Sequence, residues 1–169
     1  LADDLDVITF DFRGHGESGG ATTLGDKELL DVKAVMDYAM PFGYQRIVLM
    51  GSSMGGAVSI RYAAEDERVN AVVTLGAFAH GQFGVMAMSG LGLLKIPLSR
   101  AVMRHAYATR IERAQPPYAP RDFVSKISPR PLLIVHGEYD ALIPLSHARE
   151  LYENARVPKQ LYIIPRGPH

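Results

Sequence analysis

Short apolar runs rich in β-branched residues alternate along this chain with longer segments whose apolar residues recur every three to four positions. Residues 7–12 read as a first strand, ending at Arg13-Gly14-His15-Gly16. Over 26–40, Leu29, Leu30, Val32, Val35, Met36 and Ala39 keep a helical period, which Pro41 and Gly43 terminate. Residues 46–50 form a second strand with a continuous apolar core of Ile47, Val48, Leu49 and Met50. A helix is predicted over 54–65, small-residue-rich at its start, then a third strand over 69–75. A fourth strand covers 130–136, a helix runs from about 145 to 154, and a fifth strand covers 160–164.

Strands that lack polar alternation are buried on both faces. This pattern predicts an α/β fold, a mostly parallel, doubly wound sheet covered by crossover helices. One stretch breaks the rhythm. From 79 to 128 there is no strand signal, only apolar helical patches at 85–94 and 98–107 and the Pro116-Pro117 turn. A structureless connection of that length is rare in a compact domain, so 79–128 reads as a small helical insertion standing over the sheet of a core made of 1–78 and 129–169. The sequence contains no internal repeats and no low-complexity segments.

Composition narrows the field. The 169 residues carry 18 Lys+Arg against 18 Asp+Glu, with 47% apolar and 21% charged residues. This is ordinary globular composition. The neutral balance, with a pI near 7.2, gives no electrostatic reason for a nucleic-acid or anionic-membrane partner. There are no cysteines, which excludes disulfides, thiolate nucleophiles and cysteine metal sites. The longest apolar stretch, 83–94, is broken by Ser89 and three glycines and is too short to span a bilayer. No secretory signal opens the chain, so a cytoplasmic location is expected. Leu1 falls in the tail of a helix running into a strand, and His169 follows Pro-Arg-Gly-Pro. Both ends read as cuts in a longer protein.

Gly51-Ser52-Ser53-Met54-Gly55 matches G-x-S-x-G with Ser53 at its centre. The five-residue pattern is weak alone. Its setting, directly after an apolar strand and opening a helix, is the strand–turn–helix context that a nucleophile elbow requires. Gly51, Gly55, Gly56 and Ala57 leave room for so tight a turn, and the helix N-terminus offers free N–H groups where an oxyanion would form. A serine hydroxyl needs a base within hydrogen-bond reach, itself oriented by a carboxylate. Such partners project from the C-terminal ends of parallel strands. Asp140 lies after the fourth strand and His169 follows the fifth, so the order is Ser53, Asp140, His169. Glu138 is a local competitor for the acid role. Gly76, Ala77 and Phe78, after the third strand, offer no acid.

The remaining histidines read as structural. His15 sits in a turn that Asp11, Arg13 and Ser18 can pin, His136 precedes a glycine at a strand end, and His147 falls in the first turn of a helix. His80 begins the insertion and lies close enough to the expected site to touch substrate; His105 carries no signal. No His/Asp/Glu set has convincing metal spacing.

Four pieces, Asp11-Phe12-Arg13-Gly14-His15-Gly16-Glu17-Ser18, Gly51-Ser52-Ser53-Met54-Gly55-Gly56, His136-Gly137-Glu138-Tyr139-Asp140 with Ile143-Pro144, and Ile164-Pro165-Arg166-Gly167-Pro168-His169, run the length of the chain. Together the chain resembles the α/β-hydrolase superfamily, in particular bacterial serine hydrolases of the esterase/acyl-aminopeptidase-like kind. The resemblance implies Ser53 as nucleophile, Asp140 as acid, His169 as base, the Met54 N–H as one oxyanion donor, and a lid from 79–128. It also implies three elements outside the chain: a second oxyanion donor, a central strand between the first and second strands, and a helix after His169. On that reading the 169 residues alone are inactive or marginally stable, and the parent chain is active.

The expected function is therefore a carboxylesterase-like serine hydrolase acting on a small-molecule ester, thioester or small amide, without cofactor or metal. Phe78, His80, Met86 and Ile143 are candidate pocket residues. The Met-rich lid suits an apolar acyl group, although packing of its helices on the sheet accounts for it equally well. Two other readings stay open: a peptidase-like hydrolase of short or acylated peptides, and a non-catalytic binder of a small apolar ligand. Dehalogenase chemistry is disfavoured, because its nucleophile is a carboxylate and position 53 is serine. The oligomeric state is left open.

Overall fold

The computed structural model describes residues 5–80, 109–112 and 118–169. Four strands, β1 (Ile47–Ser52), β2 (Val69–Leu75), β3 (Leu132–Gly137) and β4 (Lys159–Ile164), form one sheet in the order β1-β2-β3-β4. Every neighbouring pair is parallel. Among the described residues three α-helices accompany them: α1 (Glu28–Ala39), α2 (Met54–Glu65) and α3 (Leu145–Asn154). The mostly parallel α/β fold read from the pattern is the one observed, and α2, β2 and α3 begin and end where the sequence places them.

The central strands carry the core. Val69, Val72, Leu132 and Ile134 are buried, and α2 lays Val58, Ile60 and Ala63 against them. Each such valine, leucine or isoleucine removed from water contributes about 1.5–3 kcal/mol. Because α2 starts at the end of β1 and packs on both β1 and β2, the turn between β1 and α2 is held from three sides. Arg130 closes the opposite end of this layer. Its guanidinium donates to the carbonyls of Ala63 at 2.6 Å, Asp66 at 2.9 Å and Val69 at 3.1 Å, occupying acceptors that the helix end cannot satisfy itself.

A second pin sits before α1. The Glu28 carboxylate is fully buried and accepts from Thr22 Oγ1 (2.6 Å), the Thr23 N–H (2.9 Å), Thr23 Oγ1 (2.8 Å) and the Gly25 N–H (2.8 Å). Burial opposes its charge, but these donors outweigh burial and hold the carboxyl below its usual range. The Lys27 N–H in turn donates to Thr23 Oγ1 at 2.8 Å. Thr23 therefore caps the helix start from outside the helix.

The sequence reading is corrected at one place. Residues 7–12, expected as the first strand, carry no strand pairing, and Val7 is 79% and Phe10 40% exposed. An apolar run becomes a strand only where another edge takes its N–H and C=O groups. No described strand pairs with the outer edge of β1, whose Val48 and Met50 are exposed. The core also continues through the end of the predicted insertion. Val124, Ile127 and Ala79 belong to the same buried cluster as α2 and β2. The helical patches at 85–94 and 98–107 and Met86 lie outside the described residues.

Candidate active site

The end of β1 dictates a tight turn. Ser53 sits at φ 51°, ψ −118°, immediately before Met54, the first residue of α2. A left-handed φ at a non-glycine residue costs on the order of 1–3 kcal/mol and persists only where its surroundings enforce it. They do so here. The Ser53 N–H donates to Leu75 O at 2.7 Å, and the Gly56 and Ala57 N–H groups donate back to Ser53 O at 3.1 and 3.2 Å. A Cβ on Gly51 would collide with the Gly55 carbonyl, and one on Gly56 would stand 2.9 Å from Ala77 Cβ. The small residues flanking the serine are thus a steric requirement of the turn. As the first helical residue, Met54 has no intrahelical acceptor for its N–H.

Asp140 and His169 converge from the ends of β3 and β4. His169 Nδ1 lies 2.6 Å from Asp140 Oδ2. Asp140 Oδ1 accepts the N–H groups of Leu142 at 2.9 Å and Ile143 at 2.7 Å. The Asp140 side chain is 0% and that of His169 28% exposed; the carboxylate is buried with donors on both oxygens, which offsets its desolvation. Glu138, the competing acid, is turned away: its Oε2 accepts the Arg166 N–H at 2.9 Å.

Gly76 links this pair to the serine turn. It follows Leu75, whose carbonyl holds the Ser53 N–H. A Cβ on Gly76 would lie 3.2 Å from His169 Cε1 and 3.6 Å from Asp140 Oδ2. Serine turn, imidazole and carboxylate therefore border one residue at the C-terminal rim of the sheet. Among the described residues no hydrogen bond joins Ser53 to His169.

The apolar candidates divide. Phe78 and Ile143 are buried together with Ala57, and Met54 packs on them, so they line the base of the serine turn. Phe12 closes another side, 3.6 Å from where a Gly55 Cβ would be. His80 turns to α3, where its Nε2 lies 2.7 Å from Glu150 Oε2. Of the other sequence candidates, His15 Nδ1 lies 3.2 Å from Arg13 O, and Asp11 holds the Glu17 N–H and, through its carbonyl, the Ser18 hydroxyl.

Among the described residues one set, His80, His147 and Glu150, brings three potential metal ligands within 4.8 Å of one another. Its lone pairs serve the protein instead. His147 Nδ1 accepts the Ala79 N–H at 3.1 Å, which in a neutral ring puts the proton on Nε2. Glu150 bonds His80 through one oxygen and Arg121 at 2.5 Å through the other.

A residue that sequence reasoning classed as merely structural enters the site. His136, 1% exposed on β3, places Nε2 2.8 Å from Ile143 O and 3.4 Å from Asp140 Oδ2. The available signal was a histidine within an apolar strand with an acid four residues on.

A sequence model of the family described as alpha/beta hydrolase fold matches residues 1–96. The chain is 30% identical over 171 residues to the uncharacterized protein YfhR of Escherichia coli, covering 98% of this chain and 53% of YfhR. It spans about half the length of the curated relatives it matches. Among solved structures it is similar to the Pyrococcus furiosus esterase Pf2001, with a TM-score of 0.69 and 28% identity over 94% of this chain and 60% of that one. A Paleococcus ferrophilus monoacylglycerol lipase shares the fold, with a TM-score of 0.68 and 20% identity over 95% of this chain and 73% of the lipase.

Proposed function

The chain belongs to the alpha/beta hydrolase fold family, and from that premise we propose that it hydrolyses a carboxylic ester through a covalent acyl-enzyme. Ser53 Oγ attacks the ester carbonyl as His169 Nε2 takes the hydroxyl proton. The tetrahedral oxyanion is held by the Met54 N–H at the start of α2, where helix dipole and free N–H groups favour negative charge. Collapse expels the alcohol, which receives its proton from His169. Water then attacks the acyl-enzyme, its proton passing to His169, and Ser53 leaves with that proton restored. Asp140 keeps Nδ1 protonated, so that Nε2 is the atom with the free lone pair, and stabilises the imidazolium that forms.

The observation that carries this reading is the 2.6 Å contact between Asp140 Oδ2 and His169 Nδ1, beside a serine held at φ 51°. A solved relative named as an esterase, 28% identical and covering 94% of this chain, supports an ester as substrate. The apolar base formed by Phe78, Ile143 and Ala57 suits an acyl or alkyl group.

The test is a panel of p-nitrophenyl esters of increasing acyl length beside aminoacyl-anilides, with fluorophosphonate labelling of the full-length protein. Ester turnover, together with labelling lost in Ser53→Ala, is expected. Turnover confined to the anilides would make the protein a peptidase. Neither turnover nor labelling would leave a ligand-binding protein and overturn the reading.

A further inference from the structure

We propose that His136 is a positioning residue for the acid of this site, an inference that rests on the hydrolase reading and deepens it. Its ring lies inside β3, between Val135 and Gly137, in a stretch whose other inward positions are Leu132 and Ile134. An apolar side chain would fill that place without leaving a polar atom unpaired. Here Nδ1 is buried with no hydrogen-bond partner, an arrangement that calls for an explanation.

The explanation lies at the other nitrogen. Nε2 faces two acceptors, Ile143 O at 2.8 Å and Asp140 Oδ2 at 3.4 Å. Two acceptors put the ring's single proton on Nε2 and leave a bare lone pair at Nδ1, a cheaper orphan than a buried N–H. That one proton starts a chain of bonds. His136 holds the Ile143 carbonyl, the Ile143 N–H holds Asp140 Oδ1 at 2.7 Å, and Asp140 Oδ2 holds His169 Nδ1 at 2.6 Å. The loop 137–143 is thus braced at both the N–H and the C=O of Ile143, and the carboxylate is aimed by a chain of short bonds that begins in the sheet.

The longer approach of Nε2 to Asp140 Oδ2 adds a second effect. The partial positive charge of the N–H draws on the same oxygen that faces His169, tempering the negative charge the base meets. Among the described residues His147 of α3 also faces this cluster and feels the charges of both His136 and Asp140. Substitution at 136 leaves His147 in place.

The experiment compares His136→Leu, which has no donor, with His136→Gln, whose amide N–H can reach toward the same acceptors, in the full-length protein. Rates are taken per fluorophosphonate-titrated site. For His136→Leu, kcat per titrated site is expected to fall roughly tenfold to a hundredfold at little change in KM, the cost of a misaimed catalytic group. The acid limb of kcat/KM moves up by roughly half a pH unit, as the less compensated carboxylate favours the protonated base. His136→Gln restores most of both. If His136→Leu does not fold, His136→Asn, too short to reach either acceptor, is read in the same way.

A purely structural histidine would lower the number of titratable sites and leave kcat per site and the acid limb where they were; that outcome overturns the inference while the hydrolase reading stands. Absence of labelling and turnover in the unsubstituted protein overturns both.

Discussion

Asp140 and His169, 29 residues apart in the chain, meet at 2.6 Å through Oδ2 and Nδ1. The contact exists because β3 and β4 run parallel and in register, Gly137 beside Ile164, so the loops after them leave the same rim of the sheet. The bond leaves Asp140 with its other oxygen on two backbone N–H groups, and the imidazole can rotate only by breaking it.

Asp140→Asn keeps the shape and reverses half of the chemistry. The amide can present an N–H to Nδ1, favouring the tautomer whose Nε2 carries the proton and cannot act as base. Ester kcat is expected to drop by about 10⁴-fold with the fold intact. Steady-state kinetics beside thermal melting checks this; an undiminished rate would remove Asp140 from the mechanism.

Ser53 holds a left-handed backbone at φ 51°. Ser53→Gly and Ser53→Ala should both lose fluorophosphonate labelling. At φ 51° glycine relieves strain that alanine keeps, so Ser53→Gly should be more stable than Ser53→Ala by about 1 kcal/mol. Urea midpoints at equal m-values measure the difference, and equal midpoints would mean the turn is not strained.

Gly137 is where β3 passes under the chain that delivers His169. A Cβ there would collide with the carbonyl oxygens of Gly167 and Pro168. Gly137→Ala must push that segment outward and carry the imidazole with it, costing about 10²-fold in kcat. Amide-exchange protection in β1, β2 and α2 should stay near that of the unsubstituted protein. Loss of protection throughout would show global destabilisation instead.

Burial, reinforced by neighbouring His80, holds the His147 imidazole below its ordinary value of 6.5. As pH falls through 6.5 the unfolded chain takes up the proton before the folded one, so stability is fully present above that pH and declines below it. Denaturant unfolding between pH 7.5 and 5.5 should show the decline. His147→Gln, which can still accept the Ala79 N–H, should flatten it. An unchanged slope in the variant would place the proton uptake elsewhere.

Much of this was written in the order of residues. Continuous apolar runs at 46–50, 69–75, 130–136 and 160–164 become the four strands, although alternate residues of β1 and β4 stay exposed, and helical periods become helices, because burial period is a local property of sequence. The serine turn was equally legible: glycine at 51 and small residues at 55–57 admit few other conformations after an apolar strand. Strand pairing is not local. Residues 7–12 are as apolar as β1, yet they pair with no described strand. His136 looked like any histidine at a strand end, and its bearing on Asp140 exists only once a tight loop folds the acid back across the ring.

Sequence alone determined which residue types stand at the ends of which parallel strands, and hence the chemistry available at one rim, since propensity, period and turn sterics act over a few residues. Tertiary structure alone decided which groups touch. It took the register of β3 on β4 to bring Asp140 to His169 and to turn Glu138 away to Arg166, because distances of a few ångströms between residues far apart in the chain are set by packing.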